Sequence, residues 1–353
     1  MPEIPELLEQ LLTAAPSPSG YEGPAATVWR DAAGFAELET DRIGSSIARV
    51  AGEGDDAPLV AIVGHIDEIG LAITHVDESG FAYFTPIGGW DPQILVGQRI
   101  VVQSRDGAVP GVVGRKPVHL LKEDQRKKAV ELDGLHIDVG AADRDEALSL
   151  FRIGDPVVID AQPLGLAGDR LVSRSMDNRL GSYVALEVAR RCHDGGGHRA
   201  AVAGVAAVQE EIGLHGARTS AFLLQPEIAV VVDVTHATDA PGVEEKKLGS
   251  HPLGSGPVIG RGATLSPIVF ELLAATAERE GIDHTVETSG RYSGTDADAY
   301  QVSRAGLPTG LVSIPLRYMH SPVELVDLRD VEATVELLVA FASSITGEED
   351  LSR

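Results

Sequence analysis

The chain combines segments with helical spacing of apolar residues and short runs that are apolar throughout. Residues 4–14 place apolar side chains at helical spacing, and the turn-rich segment 16–23 ends that helix. Residues 59–64 form a continuous apolar run, which is typical of a strand buried on both faces. The same two patterns predict further helices near 24–33, 178–191, 266–280 and 331–346, and strands at 200–208, 228–234 and 310–314.

The segment between about residues 70 and 168 has a different pattern. Short alternating stretches such as GVVGRKPVH and DPVVID are separated by frequent Gly and Pro, and no long helical pattern interrupts them. We therefore predict a small β-rich domain over 69–168, inserted into a chain whose two ends, 1–68 and 169–353, form one domain. The alternation of helices and strands in those ends predicts an α/β fold, a mixed sheet covered by helices.

Length and charge narrow the class of protein. The chain has 353 residues, more than the roughly 250–300 at which one hydrophobic core stops growing, so two domains are expected. Its 53 acidic and 29 basic residues give a net charge of −24, which argues against a nucleic-acid partner. No apolar run approaches the roughly 18 residues of a membrane span. The acidic start lacks a secretory signal pattern, and Cys192 is the single cysteine, so we expect a cytoplasmic protein.

Acidic and histidine-containing motifs follow the predicted strands or open the helix after the inserted segment. They are GHIDE, QEEIG, VDVTH, YMHSP and SMDNR. Because sites in open α/β sheets gather at the carboxyl ends of strands, we expect these motifs to meet. Imidazole and carboxylate without thiolate suit Zn²⁺, Co²⁺ or Mn²⁺. The candidate ligands are His65, Asp177, Glu211, Asp233 and His320.

Spacing within the motifs suggests separate roles. At a strand end, residues i and i+2 point the same way, so Asp67 is placed to brace the ring of His65. Glu210 and Glu211 are adjacent, and at a strand end one can bind metal while the other holds a water. Two divalent ions leave net positive charge on such a ligand set, which lowers the pKa of a bound water. Glu210 is then the general base, and Asp177 is the natural bridge between ions roughly 3.5–4 Å apart.

The motifs together are similar to those of a known family. GHIDEIG, SRSMDNRLG, VQEEIGLHGA, VVDVTHATDAPG, SGTDADAY and RYMHSPVE resemble the M42 dinuclear metallo-aminopeptidases, the glutamyl or tetrahedral aminopeptidase group, and the resemblance covers nearly the whole chain. It implies that one ion is bound by His65, Asp177 and Asp233. It implies that the other is bound by Asp177, Glu211 and His320. It also implies that Glu210 is the general base, that Asp67 orients His65, and that the inserted domain is PDZ-like and helps to build twelve-subunit tetrahedral assemblies.

The expected function is that of an exopeptidase that removes N-terminal residues from peptides with a free N-terminus. The resemblance implies two divalent ions per subunit, Zn²⁺ or Co²⁺ before Mn²⁺, and a homo-oligomer. Three other functions stay open at this point. A deacylase or carboxypeptidase-like hydrolase would use the same ions on another amide, and a non-catalytic protein would keep only the fold. An endoglucanase-type glycosidase would need two carboxylates flanking the bond and ordinarily no metal.

Each motif also has an ordinary structural explanation. His65 ends an apolar run and would suit a buried structural histidine, Asp177 would suit a helix N-cap, and His320 would suit an exposed loop. Asp233 is harder to explain without a ligand, because it interrupts an apolar strand where an unpaired carboxylate is costly. The glycine-rich stretch 254–262 lacks the ending of a phosphate loop and is expected to form a turn-rich pocket wall.

Overall fold

The computed structural model describes residues 3–54 and 56–352. The helices are α1 Glu6–Leu12, α2 Gly23–Ala32, α3 Pro92–Leu95, α4 Glu123–Arg126, α5 Arg144–Leu150, α6 Met176–Gly195, α7 His215–Leu224, α8 Glu245–Leu248, α9 Pro267–Glu280, α10 Ala297–Tyr300 and α11 Leu328–Ser344. The strands are β1 Glu37–Thr40, β2 Ser46–Val50, β3 Leu59–His65, β4 Gly70–Val76, β5 Ala82–Ile87, β6 Arg99–Ser104, β7 Gly107–Arg115, β8 Leu135–Asp138, β9 Pro156–Ile159, β10 Leu164–Gly165, β11 Arg170–Ser173, β12 Ala201–Ala207, β13 Ile228–His236, β14 Val258–Gly262, β15 Thr285–Ser289, β16 Thr309–Leu316 and β17 Glu324–Asp327.

A large mixed sheet forms the centre of the molecule. Among the described residues, eight strands follow the order β1-β2-β12-β3-β13-β16-β14-β15. The four central strands β12, β3, β13 and β16 are parallel, and β3 and β12 are buried along their whole length. Ala207 pairs with His65, and Asp233 pairs with Ser313. The carboxyl ends of these four strands therefore lie at one edge of the sheet, and the predicted α/β class with a mixed sheet is confirmed.

A small closed barrel lies between the two halves of the chain. Its strands follow the order β4-β5-β8-β7-β6-β9, and their ladders are antiparallel. The barrel has its own apolar core, which includes Val102, Ile137 and Phe151. All six strands fall inside the segment predicted to be β-rich. No helix in the described part of the chain has the length and apolar character needed to cross a bilayer.

The long helix α6 packs closely on the sheet because two glycines face each other. A Cβ at Gly64 would lie 2.1 Å from the carbonyl carbon of Gly181, and one at Gly181 would lie 2.5 Å from the carbonyl oxygen of Val232. Any larger residue would force the helix away from the sheet. The buried ring of Trp29 fixes the other side of α6, since its indole N–H donates to the carbonyl of Ser182 at 2.8 Å. This packing holds the first residues of α6 against the strand ends.

A buried ion-pair cluster lies where the chain leaves β3 for the barrel. Glu68 is 3% exposed and pairs with the guanidinium groups of Arg174 and Arg179, the latter at 2.7 Å. Arg174 also donates to the carbonyl of Ala14, and Arg179 donates to that of Leu11. The cluster thus joins the exit of β3, the start of α6 and helix α1.

Candidate metal centre and active site

The predicted site residues meet at the carboxyl edge of the central strands. His65 is the last residue of β3, and Asp233 lies near the end of β13. Glu210 and Glu211 follow β12, and His320 follows β16. Asp177 reaches the same point from the start of α6. Residues from five separate stretches of sequence are therefore brought together, as the sequence analysis predicts.

The carboxylate of Asp177 lies between two histidines. Its Oδ1 is 3.1 Å from Nε2 of His65, and its Oδ2 is 3.3 Å from Nε2 of His320. Nε2 of His320 is also 3.3 Å from Oε1 of Glu211. One oxygen of Asp177 thus faces each histidine, which is the arrangement that a carboxylate bridging two cations requires.

The ligand atoms form compact groups of the size that a metal ion needs. His65, Asp177 and Asp233 form one group, and Asp177, Glu211 and His320 form another; within each, the ligand atoms lie within 4.8 Å of one another. A third group of the same size contains His65, Glu210 and Glu211. The nitrogen and oxygen donors suit Zn²⁺, Co²⁺ or Mn²⁺. The residues present therefore fit two neighbouring divalent ions that share Asp177.

Burial opposes the ionisation of the carboxyl groups on the acidic side of the site. Burial raises the pKa of Glu210 to about 10 and that of Asp233 well above its ordinary value. Burial, followed by the nearby charge of Asp177, also raises the pKa of Glu211. Carboxylates in this situation need positive charge beside them to stay ionised. A divalent cation at the centre of the cluster supplies such charge.

The histidines and Asp177 show the opposite electrostatic response. Burial by itself lowers the pKa of His320, but hydrogen bonds with Asp177 and Glu211 outweigh it and raise the pKa to about 11. Burial likewise opposes a charge on His65, and the nearby carboxylates, Glu210 foremost, raise its pKa. For Asp177, burial is outweighed by the hydrogen bonds with both histidines, which hold its pKa well below the usual range. The site is therefore organised around Asp177 as the ionised carboxylate.

Asp67 contacts more of the site than the sequence analysis predicts. Nδ1 of His65 lies 3.4 Å from its Oδ1 and 3.3 Å from its backbone oxygen. The same carboxylate accepts hydrogen bonds from the backbone N–H groups of Glu210 and Glu211 and from the hydroxyl of Ser19. Asp67 is fully buried, so it fixes the turn that carries the two acidic residues as well as facing the imidazole.

Two further positioning residues are missed by the sequence analysis. Glu324 is 2% exposed and accepts hydrogen bonds from the backbone N–H groups of Met176, Asp177 and His320. The side chain of Asn178 donates to the carbonyl of Val232 and accepts from the N–H of Gly181. Both residues lie inside motifs already quoted, SRSMDNRLG and RYMHSPVE. The sequence signal that could have identified Glu324 is its position between two apolar residues, Val323 and Leu325.

Unusual backbone conformations cluster around the site. The residues with positive φ include Ser175, Gln209, Tyr318 and His320, each of which is a candidate ligand or lies within two residues of one. Such conformations cost free energy in non-glycine residues and concentrate at functional sites. The backbone N–H of Gln209 is held at 3.1 Å by the buried carboxylate of Glu22. The strand ends are therefore shaped by specific side-chain contacts.

A cavity of about 290 Å³ opens beside the acidic cluster. Its outer wall is formed by Thr235, His236, Glu287, Met319 and residues 293–295. Three residues of the SGTDADAY motif, Ser293, Gly294 and Thr295, belong to this wall. The prediction for residues 254–262 was wrong, because Val258–Gly262 forms β14, and no residue of that stretch lines this cavity in the described part of the chain. Beside the acidic turn, Nδ1 of His215 lies 3.0 Å from the side-chain oxygen of Gln209.

Comparisons with known proteins agree with this site. A family model described as M42 glutamyl aminopeptidase matches residues 44–337. The chain is 37% identical to lysyl aminopeptidase of Pyrococcus furiosus, covering 96% of this chain and 97% of that protein. Among solved structures, it resembles the TET aminopeptidase of a marine sediment Thaumarchaeota archaeon, with a TM-score of 0.91, 33% identity and 96% of each chain covered.

A second similar structure belongs to a protein that forms large assemblies. It is the TET1 peptidase of Pyrococcus horikoshii, described as assembling into a tetrahedron or a large octahedral shell. The TM-score is 0.85 at 32% identity, with 96% of this chain and 99% of that chain covered. The family match spans most of the sequence, and the relatives align over nearly their whole length. The chain therefore belongs to the M42 peptidase family and is an aminopeptidase.

Proposed function

We propose that this aminopeptidase depends on two divalent metal ions per subunit, which act on the N-terminal peptide bond of peptides. The observation that carries the proposal is the position of Asp177, whose two oxygens face His65 and His320 separately. A carboxylate placed in this way can bind one ion through each oxygen. Zn²⁺ or Co²⁺ is the expected ion, with Mn²⁺ as the next choice.

The ligand assignment follows the two compact groups. The first ion is assigned to His65, Asp177 and Asp233. The second ion is assigned to Asp177, Glu211 and His320. Glu210 is left out of both groups, although its Oε2 lies 3.8 Å from Nε2 of His65. It therefore borders the centre without being needed as a ligand, which suits a general base.

Metal ions held by these residues would supply a Lewis acid for the scissile carbonyl and would lower the pKa of a nearby water. Glu210 takes a proton from the attacking water as its oxygen adds to the carbonyl carbon. Glu210 then gives that proton to the amine that leaves when the C–N bond breaks. Asp67 holds Glu210 in place through its backbone N–H. The acidic cluster also attracts the positively charged amino group of the substrate. A peptide is therefore aligned from its N-terminus, so the terminal residue is the one removed.

Hydrolysis of aminoacyl-p-nitroanilides tests this proposal. Purified protein is stripped with a chelator and then supplied with Zn²⁺, Co²⁺ or Mn²⁺. We expect activity to disappear on stripping and to return on reloading, and we expect a free peptide to be cleaved while its N-acetylated form is not. Cleavage of the blocked peptide would favour a deacylase or carboxypeptidase-like hydrolase. Cellulose cleavage that survives the chelator would favour the glycosidase.

We further propose that residues 1–68 and 169–353 form the catalytic domain and that 69–168 form an inserted PDZ-like domain. The closed barrel, whose strands run from Gly70 to Ile159, supports this division. The Pyrococcus horikoshii neighbour supports a homo-oligomer, for which we propose the dodecamer. The mass of the native particle tests the assembly. The single, buried Cys192 supports a cytoplasmic location.

A further inference from the structure

The cavity beside the metal centre has one acidic group that the proposed mechanism does not use. Glu287 lies on β15, the outermost strand of the large sheet, and its side chain reaches the cavity wall. Apart from the acidic cluster and Glu287, the described residues that line the cavity are uncharged residues or histidines. No lysine or arginine is among them. Glu287 is therefore the carboxylate that a substrate side chain meets away from the metal centre.

The carboxylate of Glu287 is only partly satisfied by the described residues. Its Oε2 accepts no hydrogen bond from them. The side chain as a whole is half-buried and lines the cavity, so part of it faces the space that a substrate would occupy. A carboxylate with unused hydrogen-bonding capacity favours a donor beside it. A positively charged group of the substrate would supply that donor.

We propose that Glu287 selects substrates whose N-terminal residue carries a basic side chain, Lys or Arg. This inference rests on the proposed aminopeptidase function. The α-amino group and the scissile carbonyl belong at the acidic cluster around Asp177, so the side chain of the terminal residue is the part that extends into the rest of the cavity. An ammonium or guanidinium group there pairs with Glu287 in a charge-assisted hydrogen bond. The net charge of −24 adds a long-range attraction for cationic peptides.

The test compares kcat/KM for lysyl, norleucyl, leucyl and glutamyl p-nitroanilides. Norleucine has the straight carbon chain of lysine without the ammonium group, so the ratio of lysyl to norleucyl rates isolates the charge. We expect the metal-loaded enzyme to prefer lysyl over norleucyl by about 10- to 100-fold, the usual effect of a hydrogen bond between charged groups. Glu287→Gln should remove most of that preference, because it should lower the lysyl rate far more than the norleucyl rate.

Two further variants sharpen the test. Glu287→Lys should reverse the order and favour the glutamyl substrate over the lysyl one. Glu278→Gln, which changes an exposed glutamate on α9, is the matched control and should behave as wild type. Circular dichroism of each variant checks that the fold is kept.

Other outcomes are equally informative. If Glu287→Gln lowers the lysyl and norleucyl rates by the same factor, Glu287 binds the α-amino group or supports the pocket, and the specificity proposal is wrong. If wild type has no lysyl preference over norleucyl, the proposal is also wrong, while cleavage of either substrate keeps the proposed function. If no aminoacyl-p-nitroanilide is cleaved by the metal-loaded protein, both proposals are wrong.

Discussion

Asp67 accepts a hydrogen bond from the backbone N–H of Glu210 at 3.1 Å, so a buried carboxylate on one strand end fixes the acidic turn on the next. The same side chain accepts from the N–H of Glu211 at 3.2 Å and from Ser19 at 2.6 Å. The geometry of the site therefore depends on a residue that need not touch metal or substrate.

Replacing Asp67 with Asn should loosen the site without unfolding the protein. An amide presents one N–H₂ group where the carboxylate accepts hydrogen bonds, so one donor is left facing another. We expect metal affinity to fall by about 10- to 100-fold, as is usual when a residue supporting a ligand is lost. Competition with a chromophoric chelator measures this. Ser19→Ala, which removes only one of the bonds, should have a smaller effect, and unchanged affinity in Asp67→Asn would contradict the assigned role.

Glu210→Gln tests the general base. Glutamine keeps the shape of the side chain but cannot take a proton from water, so turnover should fall by about 10²- to 10⁴-fold. Metal content, measured by elemental analysis, should stay at two ions per subunit. Near-normal hydrolysis of aminoacyl-p-nitroanilides by the variant would show that another residue is the base.

Asp177→Ala should abolish loading of both sites, because this carboxylate is shared by the two groups of ligand atoms. Elemental analysis after dialysis against each metal measures the stoichiometry. Asp194→Ala is a suitable control, since it changes an exposed aspartate near the other end of α6. Retention of one ion by the Asp177 variant would mean that the two sites do not depend on a common bridge.

Breaking the ion-pair cluster at Glu68 should destabilise the fold. Burial opposes a charge on Glu68, but Arg174 and Arg179 outweigh it and lower the pKa of this carboxyl group. Glu68→Gln leaves two buried guanidinium groups short of a negative partner, and breaking such a pair costs about 3–5 kcal/mol. The thermal midpoint should fall clearly. Glu123→Gln, in an exposed pair with Lys127, should change it little; equal shifts would contradict the prediction.

Glu22 should make stability depend on pH. Burial raises the pKa of Glu22 from 4.5 to about 7, so folding favours its protonated form. Its contribution to stability is complete below about pH 4.5 and is lost as the pH rises through 7. Relative to wild type, Glu22→Gln should therefore gain stability between pH 5 and 8, by up to about 3 kcal/mol at 1.36 kcal/mol per pKa unit.

Thermal unfolding of metal-stripped wild type and Glu22→Gln at several pH values measures this difference. Stripping removes the pH dependence of metal binding from the comparison. Glu39→Gln, on the exposed strand β1, serves as the control. A difference between the Glu22 variant and wild type that stays constant with pH would refute the prediction.

The central strands and the long helices could be predicted because burial on both faces leaves a strong apolar pattern. β3, β12, β13 and β16 carry that pattern, and their shared direction explains why the motifs after them converge. Edge elements leave weaker signals: β1 is exposed along its whole length, and β15 alternates between half-buried and exposed residues. Helix α11 begins at Leu328, three residues before the predicted start, because the side chain of Asp327 caps it.

The convergence of the candidate ligands could be predicted, but most of the residues that hold them in place could not. A histidine or a carboxylate after an apolar run is visible in the sequence. The contacts of Glu68 with Arg174 and Arg179, or of Glu22 with Gln209, join residues that are more than a hundred positions apart. Such pairings depend on how the strands are ordered in the sheet, which apolar patterning alone does not specify.

His65 and Asp177 are 112 residues apart and lie on opposite sides of the barrel in the sequence. Under the proposed ligand set, one cation binds both residues and does so only in the folded chain. Such binding stabilises the folded state by mass action, by about 4 kcal/mol when the free ion is at a thousand times its dissociation constant. None of the proposed ligands belongs to the barrel. Metal binding would therefore hold together the two stretches of chain that flank the barrel, without any ligand from the barrel itself.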